Sequence, residues 1–163
     1  MIKILMVCMG NICRSPMALV VLRKAIDDGR LGASLQVDSA GTAARPGEHI
    51  DPRAAAALGR RAYSVANHKA KRLGTKDFQH FDLVLAMDTY NLDEMKKSCP
   101  AALHHKLKML SEFLTPDSVL AFTPGASIPD PYYGNVQGFE KVLDLCEAAV
   151  AGLVLRHRIG TLL

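Results

Sequence analysis

The chain has 163 residues, 49% of them hydrophobic and 22% charged, with a formal net charge of +4. That length lets one domain, here the whole span 1–163, bury roughly two-thirds of its extended-chain surface without disulfides or metals. No apolar run approaches the ~18 residues of a membrane span, the first ten residues lack a signal peptide's cleavage pattern, and the weak positive charge demands no nucleic acid, so a cytoplasmic protein without membrane or nucleic-acid partners is expected.

"IKILMVC" is a continuous apolar run of strand length, the mark of a strand covered on both faces. From Ser15 the text turns helical: Ser15 can cap, Pro16 suits a first turn, and Gly29 marks the stop. "LQVDSAG" alternates as a strand, and after the loop "TAARPGEHI" an alanine-rich helix opens at "DPRAAAALG". "DLVLAMD" is a third strand, "TYNLDEMKKS" a helix that Asp88 can cap, and "HKLKMLSEF" holds a weaker fourth strand. In the last helix Phe139, Val142, Leu143, Cys146, Ala149, Val150 and Leu153 recur at three and four, with charged residues between them. The alternation predicts an α/β fold: one domain, a four-stranded parallel twisted sheet with helices on both faces, and a phosphate-binding loop after strand 1. The basic clusters "GRR" at 59–61 and "HKAKR" at 68–72 read as solvated faces.

In such a sheet a ligand lies beyond the carboxyl ends of the strands. "VCMGNICRSP", residues 7–16, occupies such a place, and it matches neither a dinucleotide nor a nucleoside triphosphate loop. Gly10 and Asn11 can take left-handed angles, which turns successive N–H groups inward to form an anion nest at the positive end of the following helix. Arg14 adds a planar fork matched to two phosphoryl oxygens. Cys8 begins the loop, so its sulfur lies at the bottom of the nest, where a thiolate is stabilised and aligned to attack phosphorus. The cysteines at 8, 13, 99 and 146 match no zinc spacing, and a cytosolic chain keeps them reduced.

"CMGNICRSP" resembles the catalytic loop of the low-molecular-weight protein tyrosine phosphatases. "DSAGT", "DPRA", "HKAKR", "FDLVLAMDTYNL" and "PDPYYG" follow in that family's order, so the resemblance covers nearly the whole chain. It implies a hydrolase that cleaves phosphotyrosine through a phosphocysteine on Cys8 and uses no cofactor and no metal. Met9, Gly10, Asn11, Ile12, Cys13, Arg14 and Ser15 would bind the phosphate. A tyrosine oxygen, whose conjugate acid has a pKa near ~10, leaves slowly unless protonated. The resemblance selects Asp130, between Pro129 and Pro131, as the acid that delivers this proton and then as the base that activates water. It further implies that Asn11 reaches Ser39 and His68, and that Ser15 donates to Cys8. Tyr132 and Tyr133 become a cleft wall and candidate phosphorylation sites. Independently of the resemblance, Cys13 lies in the same tight loop as Cys8, and if the loop curls around a phosphoryl group Cys13 becomes a redox partner for oxidised Cys8.

The implied partners are phosphotyrosine proteins, a bacterial tyrosine kinase among them, and the implied state is a monomer or weak dimer. Many members carry an aromatic residue after "SAGT", where this chain has "AARPGEHID". That loop resembles the bacterial subgroup tied to polysaccharide-assembly kinases, while "DPYYGN" is closer to the eukaryotic form, and the subgroup stays open. Arg45 and His49 could meet acidic residues flanking a phosphotyrosine. Rival readings are an arsenate reductase, which needs relay cysteines, an arginine phosphatase, whose loop carries threonine at the place of Ile12, and a non-catalytic phosphopeptide-binding module.

Overall fold

A computed structural model describes residues 1–65, 67–116 and 123–163. The four strands are β1 (Ile2–Cys8), β2 (Leu35–Gly41), β3 (Leu83–Ala86) and β4 (Leu107–Met109). They pair in parallel in the order β2-β1-β3-β4, so β1 is central and its carboxyl end faces Gly41 on one side and Ala86 on the other. The helices are α1 (Arg14–Asp28), α2 (Pro52–Arg60), α3 (Thr75–His80), α4 (Thr89–Ser98) and α5 (Val136–Arg158). The weak fourth strand has shrunk to three residues, because a 3-10 turn over Leu110–Phe113 takes the rest of that apolar run. No helix among the described residues is long and apolar enough to cross a membrane.

Alternation along β1 divides the core. Ile4, Met6 and Cys8 join the apolar residues of α1, α2 and α5. Leu5 and Val7 join Phe78 of α3 and Met95 of α4 on the opposite face. Cys8 thus belongs to the face on which α1 and α5 pack. All seven apolar positions of the last helix are buried, as their spacing predicts. Gly152 lets α5 lie against the turn at Phe113: a Cβ there would meet the Phe113 carbonyl oxygen at 1.9 Å.

The "GRR" cluster lies at the surface, with Gly59 and Arg60 exposed, but its arginines are paired. Arg60 pairs with Glu140, and Arg61 reaches Glu140, Asp144 and Glu147, all on α5. These arginines end α2, where cations also suit the helix dipole, and they clamp it to the long helix. In "HKAKR", likewise, Lys71 pairs with Asp38 and the His68 ring turns inward.

Candidate active site

The loop between β1 and α1 is held from outside by its carbonyl groups. The Cys8 carbonyl accepts from Thr42 N–H at 2.9 Å, Met9 from Ala43 at 2.9 Å and Ile12 from Asp51 at 2.8 Å. The Asn11 carbonyl accepts from His68 Nε2 at 2.7 Å. With the carbonyls engaged outward, the N–H groups turn inward. Among the described residues those of Gly10, Ile12, Cys13, Arg14 and Ser15 have no partner, and such a set of converging donors calls for an anion.

Asn11 takes the left-handed turn at φ 55°, whereas Gly10, expected to share that conformation, does not. Asn11 is fully buried and its side chain is spent on the fold: Nδ2 donates to Ser15 Oγ at 2.8 Å and Ser39 Oγ at 2.9 Å, and Oδ1 accepts from Lys71 N–H at 2.9 Å. Asparagine can pay the cost of a left-handed angle with such bonds. Ser15 does not cap α1, whose N-cap is Cys13. The Ser15 hydroxyl lies 3.0 Å from Cys8 Sγ instead. Asn11 donates into Ser15 Oγ, which leaves the hydroxyl hydrogen two acceptors within reach, the Ala40 carbonyl at 3.4 Å and Cys8 Sγ at the shorter distance. Asn11 N–H adds a second contact to Sγ at 3.3 Å.

His68 is half-buried, and burial, with help from the Lys71 and Arg23 charges, pulls its pKa down from 6.5. A carbonyl can only accept, so Nε2 carries the hydrogen in this bond. Burial pushes the Cys13 thiol up to about 12, and the negative charges of Asp51, Cys8 and Asp130 add to the effect.

Arg14 is 2% exposed. Its Nη1 donates to Asp88 Oδ2 at 2.5 Å and to the Ile128 carbonyl at 3.0 Å, while Nη2 lies 3.4 Å from Asp130 Oδ2. Asp88 also caps α4, accepting from Asn91 N–H at 2.6 Å, so the capping assignment captures only half of its contacts. Asp130 Oδ1 accepts from Tyr132 N–H at 3.1 Å.

A cleft of about 300 Å³ opens over the loop. Cys8, Met9, Gly10, Ile12, Cys13 and Arg14 form its floor, with Asp130, Tyr132 and Tyr133 on one side and Ala43, Arg45 and Glu48 around the rest. The two tyrosine rings meet edge to face at 5.0 Å. Asn11, Ser15, Ser39 and His68 lie behind the floor and support it. His49 does not line this cleft; its ring meets Lys69 Nζ at 3.2 Å.

Sequence reasoning passes over Gly41, where a Cβ would lie 2.5 Å from the Met9 carbonyl and 2.9 Å from Asn11 N. The loop can press on the end of β2 only if that residue is glycine, and a glycine closing a strand is the available signal. Asp51 and Arg53 also go unnoticed, although "DPRA" already reads as a helix start.

A buried parallel strand that delivers a thiol into a ring of free N–H groups, with a buried arginine and a carboxylate beside it, defines a cysteine-dependent phosphoryl-transfer site. The family model described as low molecular weight phosphotyrosine protein phosphatase matches residues 3–160. A Streptomyces coelicolor low molecular weight protein-tyrosine-phosphatase is 38% identical, covering 96% of this chain and 93% of its own. The human low molecular weight phosphotyrosine protein phosphatase is 35% identical, covering 88% of each chain. The crystal structure of a protein tyrosine phosphatase from Entamoeba histolytica superposes with a TM-score of 0.89 at 35% identity, over 98% of this chain and 99% of that one. The chain belongs to the low molecular weight phosphotyrosine protein phosphatase family.

Proposed function

We propose that this protein hydrolyses phosphotyrosine in proteins, by way of a phosphocysteine on Cys8. The observation that carries the reading is the position of Cys8 Sγ on the floor of a cleft ringed by free N–H groups, with Arg14 and Asp130 bordering the same space. The phosphoryl oxygens take the N–H groups, and the free edge of Arg14 replaces its contact with Asp130. These donors are already aimed where charge gathers in the transition state. The Cys8 thiolate forms the S–P bond as the P–O bond to the aryl group breaks, and Asp130 gives its proton to the departing oxygen. In the second step ionised Asp130 takes a proton from water, the oxygen attacks phosphorus, and the S–P bond breaks to return the thiolate.

Ile12 brings a branched apolar side chain to the cleft floor beside Cys8. This suits an aromatic ester and crowds a hydrated guanidinium, favouring phosphotyrosine over phosphoarginine. Arg45, on the cleft wall, is suited to acidic residues flanking the phosphotyrosine. Cys99 and Cys146 are both buried with raised thiol pKa values, Cys146 to about 12, which argues against the relay of an arsenate reductase. The proposed setting is a reducing cytoplasm and the proposed state a monomer or weak dimer, with a tyrosine kinase among the candidate substrates. Peroxide would convert Cys8 to a sulfenic acid, and Cys13 would condense with it to a disulfide and water, which a cellular thiol reverses.

Side-by-side assay of phosphotyrosine, phosphoarginine and thioredoxin-coupled arsenate tests the reading, together with trapping of a phosphorylated Cys8 by rapid acid quench. The expected result is preferred turnover of phosphotyrosine with the label on Cys8. Turnover that survives Cys8→Ser overturns it.

A further inference from the structure

Asp51 and Arg53 open α2, and neither is among the residues assigned to the reaction above. Asp51 N–H donates to the Ile12 carbonyl of the phosphate loop at 2.8 Å. Its carboxylate accepts from Arg53 N–H at 2.8 Å, from Arg53 Nε at 3.1 Å and from Arg53 Nη2 at 2.8 Å. The two side-chain bonds form a planar fork that fixes the guanidinium's orientation. Arg53 Cζ then stands 4.7 Å from the ring centroid of Phe139, which is fully buried on α5, and 5.4 Å from that of Tyr132. Both distances are within the range of cation–π attraction.

Tyr132 is two residues beyond Asp130, and its N–H is bonded to the Asp130 carboxylate. The contacts thus run from the nucleophile's loop at Ile12, through Asp51 and Arg53, to the ring and backbone of Tyr132, and end on Asp130. The segment needs such a tether. Ile128 is fixed by the Met87 carbonyl and by Arg14, and Asn135 caps α5. Between them the Asp130 side chain is 40% exposed and both tyrosines are exposed.

We propose that Arg53 is a positioning residue for proton transfer: through Tyr132 it holds the Asp130 carboxyl at a set height over Cys8. The charge of Arg53 is matched by Asp51, so it is not a spare cation for the phosphate. Its value lies in the fixed guanidinium, which bonds Asp51 through Nε and Nη2 while its carbon stays within cation–π range of both rings. Lysine can keep the ion pair but not this two-point orientation. The inference rests on Asp130 being the proton donor.

The test is kcat/KM for aryl phosphates whose phenols run from acidic nitrophenols to unsubstituted phenol, with Arg53→Ala, Arg53→Lys, Tyr132→Ala, Asp130→Ala and Arg53→Ala/Tyr132→Ala. Arg53→Ala should lose about tenfold on phenyl phosphate and little on the most acidic leaving group, as expected when a catalytic group is displaced but not removed. Arg53→Lys should keep the wild-type affinity for inorganic phosphate and fall between wild type and Arg53→Ala on phenyl phosphate. The double variant should be no worse than its weaker parent, since both changes cut the same tether. Equal loss on every leaving group, or additive losses in the double variant, overturns the proposal. If Asp130→Ala itself shows no dependence on leaving group, the assignment of Asp130 fails instead.

Discussion

Arg14 Nη1 lies 2.5 Å from Asp88 Oδ2, an ion pair whose guanidinium side is 3% exposed and whose carboxylate side is 19% exposed. A buried guanidinium without a counter-charge is costly, and a free one would not hold its fork toward the cleft. Asp88→Asn keeps an acceptor for the α4 cap and removes the charge. The variant should melt at a lower temperature and lose about tenfold in kcat/KM, the size of one charge-assisted hydrogen bond. The loss should be equal across leaving groups, because phosphate orientation and not proton transfer is affected. Wild-type melting and kinetics would show that the pair is dispensable.

Asp130→Ala should behave differently. General acid catalysis is worth about 10²–10⁴-fold, so phosphotyrosine turnover should fall by that order while esters of acidic phenols are nearly spared. The limb of the pH profile on which activity falls as pH rises should flatten as well, because the donor acts only while protonated. Initial rates across pH for two substrates of contrasting leaving group check both points, and a uniform loss contradicts the donor role.

What could be read from the sequence was mostly local. β1, β2 and α5 show in single windows, because strand alternation and helical spacing record burial directly. The loop could be read because a strand, a turn and a helix are consecutive there. Contacts between distant segments could not be read in this way. Ser15 looks like a cap until Asn11 and Cys8 are folded around it, and Arg61 looks solvated until α5 supplies Glu140, Asp144 and Glu147. Gly10 and Asn11 both permit a left-handed angle. Only the bonds to Ser39 and Lys71 decide for Asn11.

His68 links stability to pH. The unfolded imidazole titrates near 6.5, and burial holds the folded one below that. Between the two values the unfolded chain binds the proton and the fold does not, so this contribution is present above 6.5 and is lost as pH falls toward the folded pKa. His68→Gln can still donate to the Asn11 carbonyl but does not titrate. Its melting temperature should therefore drop less than that of the wild type between pH 7 and pH 5. Parallel curves would remove His68 from the acid sensitivity.

Ile12 should set the substrate class. Ile12→Thr trims an apolar branch and adds a hydroxyl beside the leaving atom, so the ratio of phosphotyrosine to phosphoarginine turnover should narrow several-fold, on the scale of one methylene-sized change in a pocket. Paired kcat/KM values measure this. An unmutated protein that already prefers phosphoarginine would reverse the substrate reading.

Oxidation tests the second cysteine of the loop. Peroxide should inactivate the protein, bound phosphate should protect it by covering Cys8, and dithiothreitol should restore it. Cys13 is held as a thiol by burial, with a pKa pushed up to about 12, so disulfide closure at neutral pH proceeds from a scarce thiolate. Closure should accordingly speed up as pH rises from 7 to 9, and oxidised protein left at low pH should pass on to the sulfinic acid, beyond rescue. Cys13→Ser should keep much of the basal activity and lose the recovery at every pH. Peptide mapping after mild oxidation should find Cys8 joined to Cys13. A Cys8 partner at Cys99 or Cys146 would overturn this account and favour the arsenate reductase reading.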